Sequence, residues 1–159
     1  MNNTLVMYEE EFVVIKHLLN TLRMDASAKI VFLVDKNGQL IASAGQVGNL
    51  DTTSLASLTA GNIAATGGLA KLIGEKEFSI LFHEGERDNL HISIVGGRVI
   101  LVVIFDGRSS LGLVRLRVKR ASVELAAIFE HLMRKMEDPA MGSPFAEITD
   151  EDIDNLFND

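Results

Sequence analysis

Apolar positions along this chain switch between two spacings, three-and-four and two. From Tyr8 to Asp25 the residues Phe12, Ile15, Leu19 and Leu22 form one stripe, which predicts an amphipathic helix. Glu9, Glu10 and Glu11 favour its N-terminus, where the helix dipole is positive. Ile30-Val31-Phe32-Leu33-Val34 is a continuous apolar run, suited to a strand covered on both faces. Asp35-Lys36-Asn37-Gly38 predicts a hairpin turn with positive φ at both Asn37 and Gly38, and Gln39 to Ala44 returns as a strand. A second helix is predicted over Thr52–Ala70. Strands follow at Phe78–His83, Leu90–Val95 and Val99–Phe105, the last two joined by Gly96-Gly97. Ser109 or Ser110 caps a final long helix to about Met136, with Leu111, Val114, Val118, Ala121, Leu125, Ile128 and Leu132 as its buried stripe. The order α-β-β-α-β-β-β-α predicts an α+β fold, a five-stranded, mainly antiparallel sheet with helices against it.

The middle helix is unusual because Thr52 to Ala70 carries no charged residue. Leu55, Leu58, Leu69, Leu72 and Ile73 read as its buried stripe, with Asn62 and Ala65 on the same line. Asp51 or Thr52 caps the start and Gly74 the end. The other face holds Ser57, Ala60, Gly61, Ala64, Gly67 and Gly68, all small. Each interior glycine costs about 1 kcal/mol of helix stability relative to alanine, so three of them call for a compensating contact. The expectation is that two copies of the helix pack together and leave a small-residue platform for a partner. The alternative is a helix buried within its own domain. Ser, Thr, Asn and Gly interrupt the run too often for a membrane span, and no membrane insertion is expected.

Composition refines this in three ways. The 159 residues suffice for one domain with a core, and the absence of cysteine excludes disulfides and thiolate chemistry. Residues 1–8 lack a basic start and an apolar run, so a cytoplasmic location is expected. Eight of the 22 acids fall in 137–159, which has no Lys or Arg; the other 14 acids meet 15 Lys and Arg. A nearly neutral body gives no reason to expect nucleic-acid binding. The chain therefore divides into a body, 1–137, and an acidic segment, 138–159. Within that segment Thr149 can cap a short helix, with Asp152 three residues on. Ile153, Leu156 and Phe157 fall on one side of it, an apolar edge among acids, as in docking peptides. The alternative is a disordered solubilising tail. On the last long helix, Arg115, Arg117, Lys119 and Arg120 form a basic cluster that faces either an acidic partner or solvent.

Catalytic signals are weak. His17, His83, His91 and His131 have no metal-ligand spacing, and His83 and His91 read as sheet-surface residues. There is no phosphate-binding GxxxxGK[ST] loop. Gly107-Arg108-Ser109-Ser110-Leu111-Gly112 is a glycine-flanked turn that could hold an anion at the helix N-terminus, but an ordinary strand-to-helix loop is the favoured reading. Carboxylates crowd mainly in the acidic tail, a poor platform for catalysis. No catalytic residue, metal or cofactor is expected.

The element order resembles the Roadblock (dynein light chain) family. Within it, LVMYEEEF, VFLVDKNGQLIASAGQ, DTTSLASLTAGNIAA, GGLAKLIGE, VVIFDGRSSLGLVRLRVK and SPFAEITDEDIDNLF are similar to the MglB-like regulators of bacterial gliding motility. That resemblance covers almost the whole chain. It implies a homodimer whose middle helices pair antiparallel and whose edge strands join into one sheet. It implies a partner, an MglA-like Ras-like small GTPase that sets cell polarity, bound preferentially with GTP. It further implies acceleration of GTP hydrolysis by repositioning the GTPase's own residues, without an arginine finger, and enrichment at a cell pole. The expected GTPase interface is Ser57, Ala60, Gly61, Ala64 and Gly68 with Arg115, Lys119 and Arg120. The expected second docking element is Ile153, Leu156 and Phe157, acting on affinity or nucleotide exchange. A passive scaffold of the same fold is the runner-up, and a small-molecule sensing domain is a third reading, disfavoured because the platform offers no polar anchors.

Overall fold

The computed structural model describes residues 8–137. α1 (Glu9–Asp25) leads into β1 (Ile30–Asp35) and β2 (Leu40–Ala44). α2 (Thr52–Leu72) follows, then β3 (Ile80–Glu84), β4 (Asn89–Val95), β5 (Val99–Phe105) and α3 (Leu111–Glu137). The five strands form one sheet in the order β2-β1-β5-β4-β3, and every neighbouring pair is antiparallel. β1 and β5, the two apolar runs, lie together at the centre, Ile30 opposite Ile104 and Asp35 opposite Val99. Both are buried along their whole length, as a strand with no polar alternation requires.

The two turns differ in kind. At Gly96 and Gly97 both φ angles are positive, +59° and +67°, the mirror-image turn that fits the twist of a hairpin. At the first hairpin only Gly38 is left-handed, with φ +90°; Asn37 keeps a negative φ, contrary to expectation. Asp35 explains the difference. Its Oδ1 accepts from the backbone N–H of Asn37 at 2.9 Å and of Gln39 at 3.0 Å. That clamp sets an ordinary turn through Lys36-Asn37, which the left-handed Gly38 closes, and a separate bulge at Ile41 shifts the register between Leu33 and Val34.

Side-chain alternation divides the interior into two cores. Val31, Leu33, Val95, Leu101, Val103 and Phe105 face α1 and α3, meeting Ile15, Leu19, Leu22, Val118, Leu125, Phe129 and Leu132. Ile30, Phe32, Val34, Ile92, Ile100, Val102 and Ile104 face the other way, toward α2. On α3 the fully buried position is Phe129, while Ile128 lies half-buried beside it. Ser110 supplies the α3 cap: its hydroxyl accepts from the N–H of Leu113 at 3.1 Å. At the far end of the α1/α3 layer Lys135 donates to a buried Glu11 at 3.1 Å and lies over the Tyr8 ring, 4.2 Å from its centroid. This pair ties the start of α1 to the end of α3.

The exposed face of α2 as a candidate interaction site

α2 begins at a well-made cap. Asp51 Oδ1 accepts from Ser54 N–H at 3.0 Å and Oδ2 from the Ser54 hydroxyl at 2.7 Å. These bonds, the hydroxyl's first, hold the Asp51 carboxyl below the usual carboxylate range. The helix closes at Gly74, φ +85°, where Glu75 N–H reaches Ala70 O and Gly74 N–H reaches Lys71 O.

Its orientation corrects the sequence expectation. The residues turned to the sheet are Thr52, Ala56, Thr59, Ile63, Thr66 and Ala70, at spacings of four and three, with Ala56, Thr59 and Ala70 buried. Leu58, Leu69, Leu72 and Ile73 point outward instead, at 73%, 54%, 84% and 63% exposure. Only Leu55 of the expected stripe packs against the core. Small residues face the sheet because the helix lies close on strands already filled with Phe32, Ile100 and Val102. Thr66 satisfies its hydroxyl against its own helix, donating to Asn62 O at 2.9 Å.

The small face is also outward. Ser57, Gly61, Ala64 and Gly68 are exposed, and Ala60 is half-buried beside the β1–β2 turn. A Cβ built on Gly38 would lie 3.2 Å from Ser57 Cα and 3.6 Å from Ala60 Cβ, so the hairpin presses on this end of α2. A Cβ added to Gly61, Gly67 or Gly68 would meet nothing within 4 Å. No neighbour among the described residues demands glycine there. The small stripe and the leucine stripe lie side by side, and between Asp51 and Lys71 no charge interrupts them. An exposed contiguous surface of this kind is a candidate interaction site.

The basic cluster is not brought to this surface. Arg115, Lys119 and Arg120 are exposed on α3, which covers the opposite face of the sheet. Arg120 lines a groove with α1, and Arg115 lies near His91. Ile153, Leu156 and Phe157 lie outside the described residues. His83 is on the sheet surface as expected, its Nε2 3.1 Å from the Asn62 side-chain amide. His91 is not: it is 1% exposed beneath α3, and neither ring nitrogen has a hydrogen-bond partner. Burial first, then the Arg115 charge, pushes its pKa below the usual value. Ser93, two residues on along the same face, also buries an unpaired hydroxyl. No cluster of His, Asp or Glu suited to a metal occurs among the described residues. Nor is any described helix long and apolar enough to cross a membrane.

Two contributors to this surface escape the sequence pattern as read above. One is the leucine stripe, which that pattern assigns to the interior. The 4-3-4-3-4 spacing of Thr52, Ala56, Thr59, Ile63, Thr66 and Ala70 was the available signal. The other is β3. As an edge strand it adds Leu81 and His83 on the α2 side of the sheet, while Ile80, 48% exposed, and Phe82, 39% exposed and stacked on Phe105 at 6.2 Å, lie on the α3 side.

A sequence model of the Roadblock/LC7 domain matches residues 14–105, from α1 through β5. The chain belongs to the Roadblock/LC7 family. Three solved structures place it within the family. It is 70% identical to Myxococcus xanthus MglB, with a TM-score of 0.76, covering 80% of this chain and 96% of that one. It is 35% identical to the gliding protein MglB of Thermus thermophilus, with a TM-score of 0.77, covering 82% and 99%. An MglB with a tetrameric arrangement is 33% identical, with a TM-score of 0.78, covering 83% and 99%.

Proposed function

We propose that this chain is a homodimeric regulator of a Ras-like small GTPase of the MglA type, controlling cell polarity and gliding motility. The observation that carries the proposal is the outward face of α2: a charge-free stripe of small residues beside Leu58, Leu69 and Leu72, with open space around three glycines. The 70% identity to Myxococcus xanthus MglB supports the choice of partner. Two copies of α2 pair through part of this face, and the exposed β3 edge extends the sheet between subunits. Ser57, Ala60, Gly61, Ala64 and Gly68 on the remaining platform meet the GTPase. Arg115, Lys119 and Arg120, on the opposite layer, reach it from the rim of the dimer. Ile153, Leu156 and Phe157 add a second contact that raises affinity or promotes exchange.

Activation then consists of holding one switch-loop arrangement of the GTPase, which requires tighter binding to that arrangement than to its alternatives. It needs no group transferred from this chain. An arginine finger contributes about 10³–10⁵ in turnover. None of Arg98, Arg108, Arg115, Arg117 or Arg120 should therefore cost that much on replacement by alanine when the GTP form still binds.

The direct test is single-turnover GTP hydrolysis by the partner GTPase with and without this protein. Faster hydrolysis is expected, and it should vanish in the double variant Ala64→Arg, Gly68→Arg, whose fold is retained because neither site is enclosed. Tight binding without any change in turnover would leave a passive scaffold in place of a regulator.

A further inference from the structure

α1 and α3 do not close completely on each other. Two depressions run along their seam, of about 240 Å³ and 370 Å³, and Val14 lines both. The floor is apolar: Val14, Leu18, Ala121 and Ile128. Val14 is 51% exposed and its neighbour Val13 61%, large apolar groups left open among the described residues. One end of the groove holds its two arginines, Arg117 and Arg120, beside His17 and balanced by Asp25 and Glu124, and Arg117 buries an unpaired Nε. α3 runs from that end to Glu137, past the other depression, and residues 138–159 continue from there.

We propose that this groove is the seat of the chain's own C-terminal segment. Three arguments converge on that occupant. The first is shape: Ile153, Leu156 and Phe157 give a short helix one apolar edge, which is what a groove between two helices accepts. The second is charge. Asp150 and Asp154, four residues apart, flank that edge, in a segment with no Lys or Arg, and they meet the Arg117/Arg120 end. Asp25 and Glu124 also line that end, and Glu10 and Glu11 line the other. One end is thus balanced and the other acidic, so the acids are placed at the end that holds the arginines. The third is reach. From Glu137 back to Arg120 is about 26 Å along α3 at 1.5 Å per residue. The stretch from Glu137 to Asp150 spans at most about 43 Å at 3.3 Å per residue.

Nine residues make a helix that is unstable alone, so the seat must order it. Tethering offsets the weak contact, because a short linker sets an effective concentration in the millimolar range. A seated segment is withheld from any other protein, so the groove controls how often the tail is free. This seat does not depend on the identity of the GTPase.

The chain has no cysteine, so Asn155→Cys carries a single spin label in the full-length protein. With the label oxidised, backbone amide resonances of Val14, Leu18, Ala121 and Ile128 should lose most of their intensity, and those of Leu58, Ala64 and Leu72 on α2 should not. Raising the salt to 1 M should restore part of the signal, since the Debye length falls to about 3 Å. Val14→Asp or Arg120→Glu, each at an exposed position, should restore most of it, and either variant alone suffices for the test. Loss confined to α2, loss nowhere, or loss unchanged by both substitutions would overturn the proposal. So would loss appearing in dilute mixtures where label and isotope are on different chains, because the seat would then belong to a second copy.

Discussion

The two faces of the sheet are built from strands of the same apolar character, yet they are covered very differently. On one, α1 and α3 bury Ile15, Leu19, Leu125, Phe129 and Leu132 at 0–2% exposure, and the Glu11–Lys135 pair closes the end. On the other, a single helix lays Ala56, Thr59 and Ala70 on the strands and turns its leucines to the outside. The first face is sealed over the strands by large side chains of the chain itself. The second carries large apolar groups, Leu58, Leu69 and Leu72, on its outer surface. The difference shows that large apolar side chains do not by themselves identify the interior. Which stripe of a helix with no charge from Thr52 to Ala70 turns inward depends on how much room the sheet leaves beneath it.

The largest expected effect contrasts one leucine from each face. Leu125→Ala leaves a cavity in a fully packed core and should cost about 2–5 kcal/mol of unfolding free energy, measured by denaturant titration. Leu72→Ala, at 84% exposure, should fall within about 0.5 kcal/mol for the single subunit. Its effect should appear as a weaker self-association constant in sedimentation. A loss at Leu72 as large as that at Leu125, independent of protein concentration, would erase the distinction.

A smaller effect separates helix stability from helix pairing. Gly61→Ala and Gly68→Ala should each stabilise the helix by about 1 kcal/mol, because glycine is the poorer helix former and the space is open. The same added methyl groups should weaken association if a second backbone approaches there. Gly38→Ala should do the reverse and destabilise the fold, since Gly38 is left-handed and its added Cβ would crowd Ser57 Cα at 3.2 Å. Thermal unfolding at several protein concentrations distinguishes these outcomes.

The smallest effect is a pH dependence on the sealed face. His91 is buried and its folded pKa lies below the unfolded value. Below the unfolded value, near 6.5, the unfolded chain binds a proton that the folded one does not, so stability falls as pH drops through that value toward the folded pKa. His91→Leu should flatten unfolding free energy between about pH 7 and pH 5. It should leave the neutral-pH value similar, since it also removes two unpaired ring nitrogens. An unchanged slope would assign the acid sensitivity elsewhere.

Much of this architecture is legible in the sequence. β1 and β5 stand out because five or more apolar residues in a row can lie only at the centre of a covered sheet. The stripes of α1 and α3 are legible because polar residues flank them, which fixes the inward direction. α2 lacks that contrast. With no charge from Thr52 to Ala70, size is the leading cue, and it points the wrong way. The small face is recognisable from composition alone, and it lies outward as expected. Asn37 misleads for a related reason: the Asn-Gly pair signals one turn type, but the Asp35 carboxylate, two residues earlier, selects another. His91 is misplaced because alternation along β4 does not reveal that α3 covers the odd-numbered side.

Sheet order also constrains the sequence of events at the ribosome. β1 pairs with β5, so residues 30–35 wait for residues 99–105 before their second ladder can form. Translation at about 5–20 residues per second makes that interval roughly 4–14 s. During it the six residues of β1 have only the β2 hairpin on one side, while a slippery stretch of Ile, Val, Phe, Leu and Val is unpaired on the other. The later half of the sheet, β3-β4-β5, is a local meander that closes quickly once made. Nascent chains are therefore most vulnerable to mispairing in a window that opens with β1 and shuts only when β5 is synthesised.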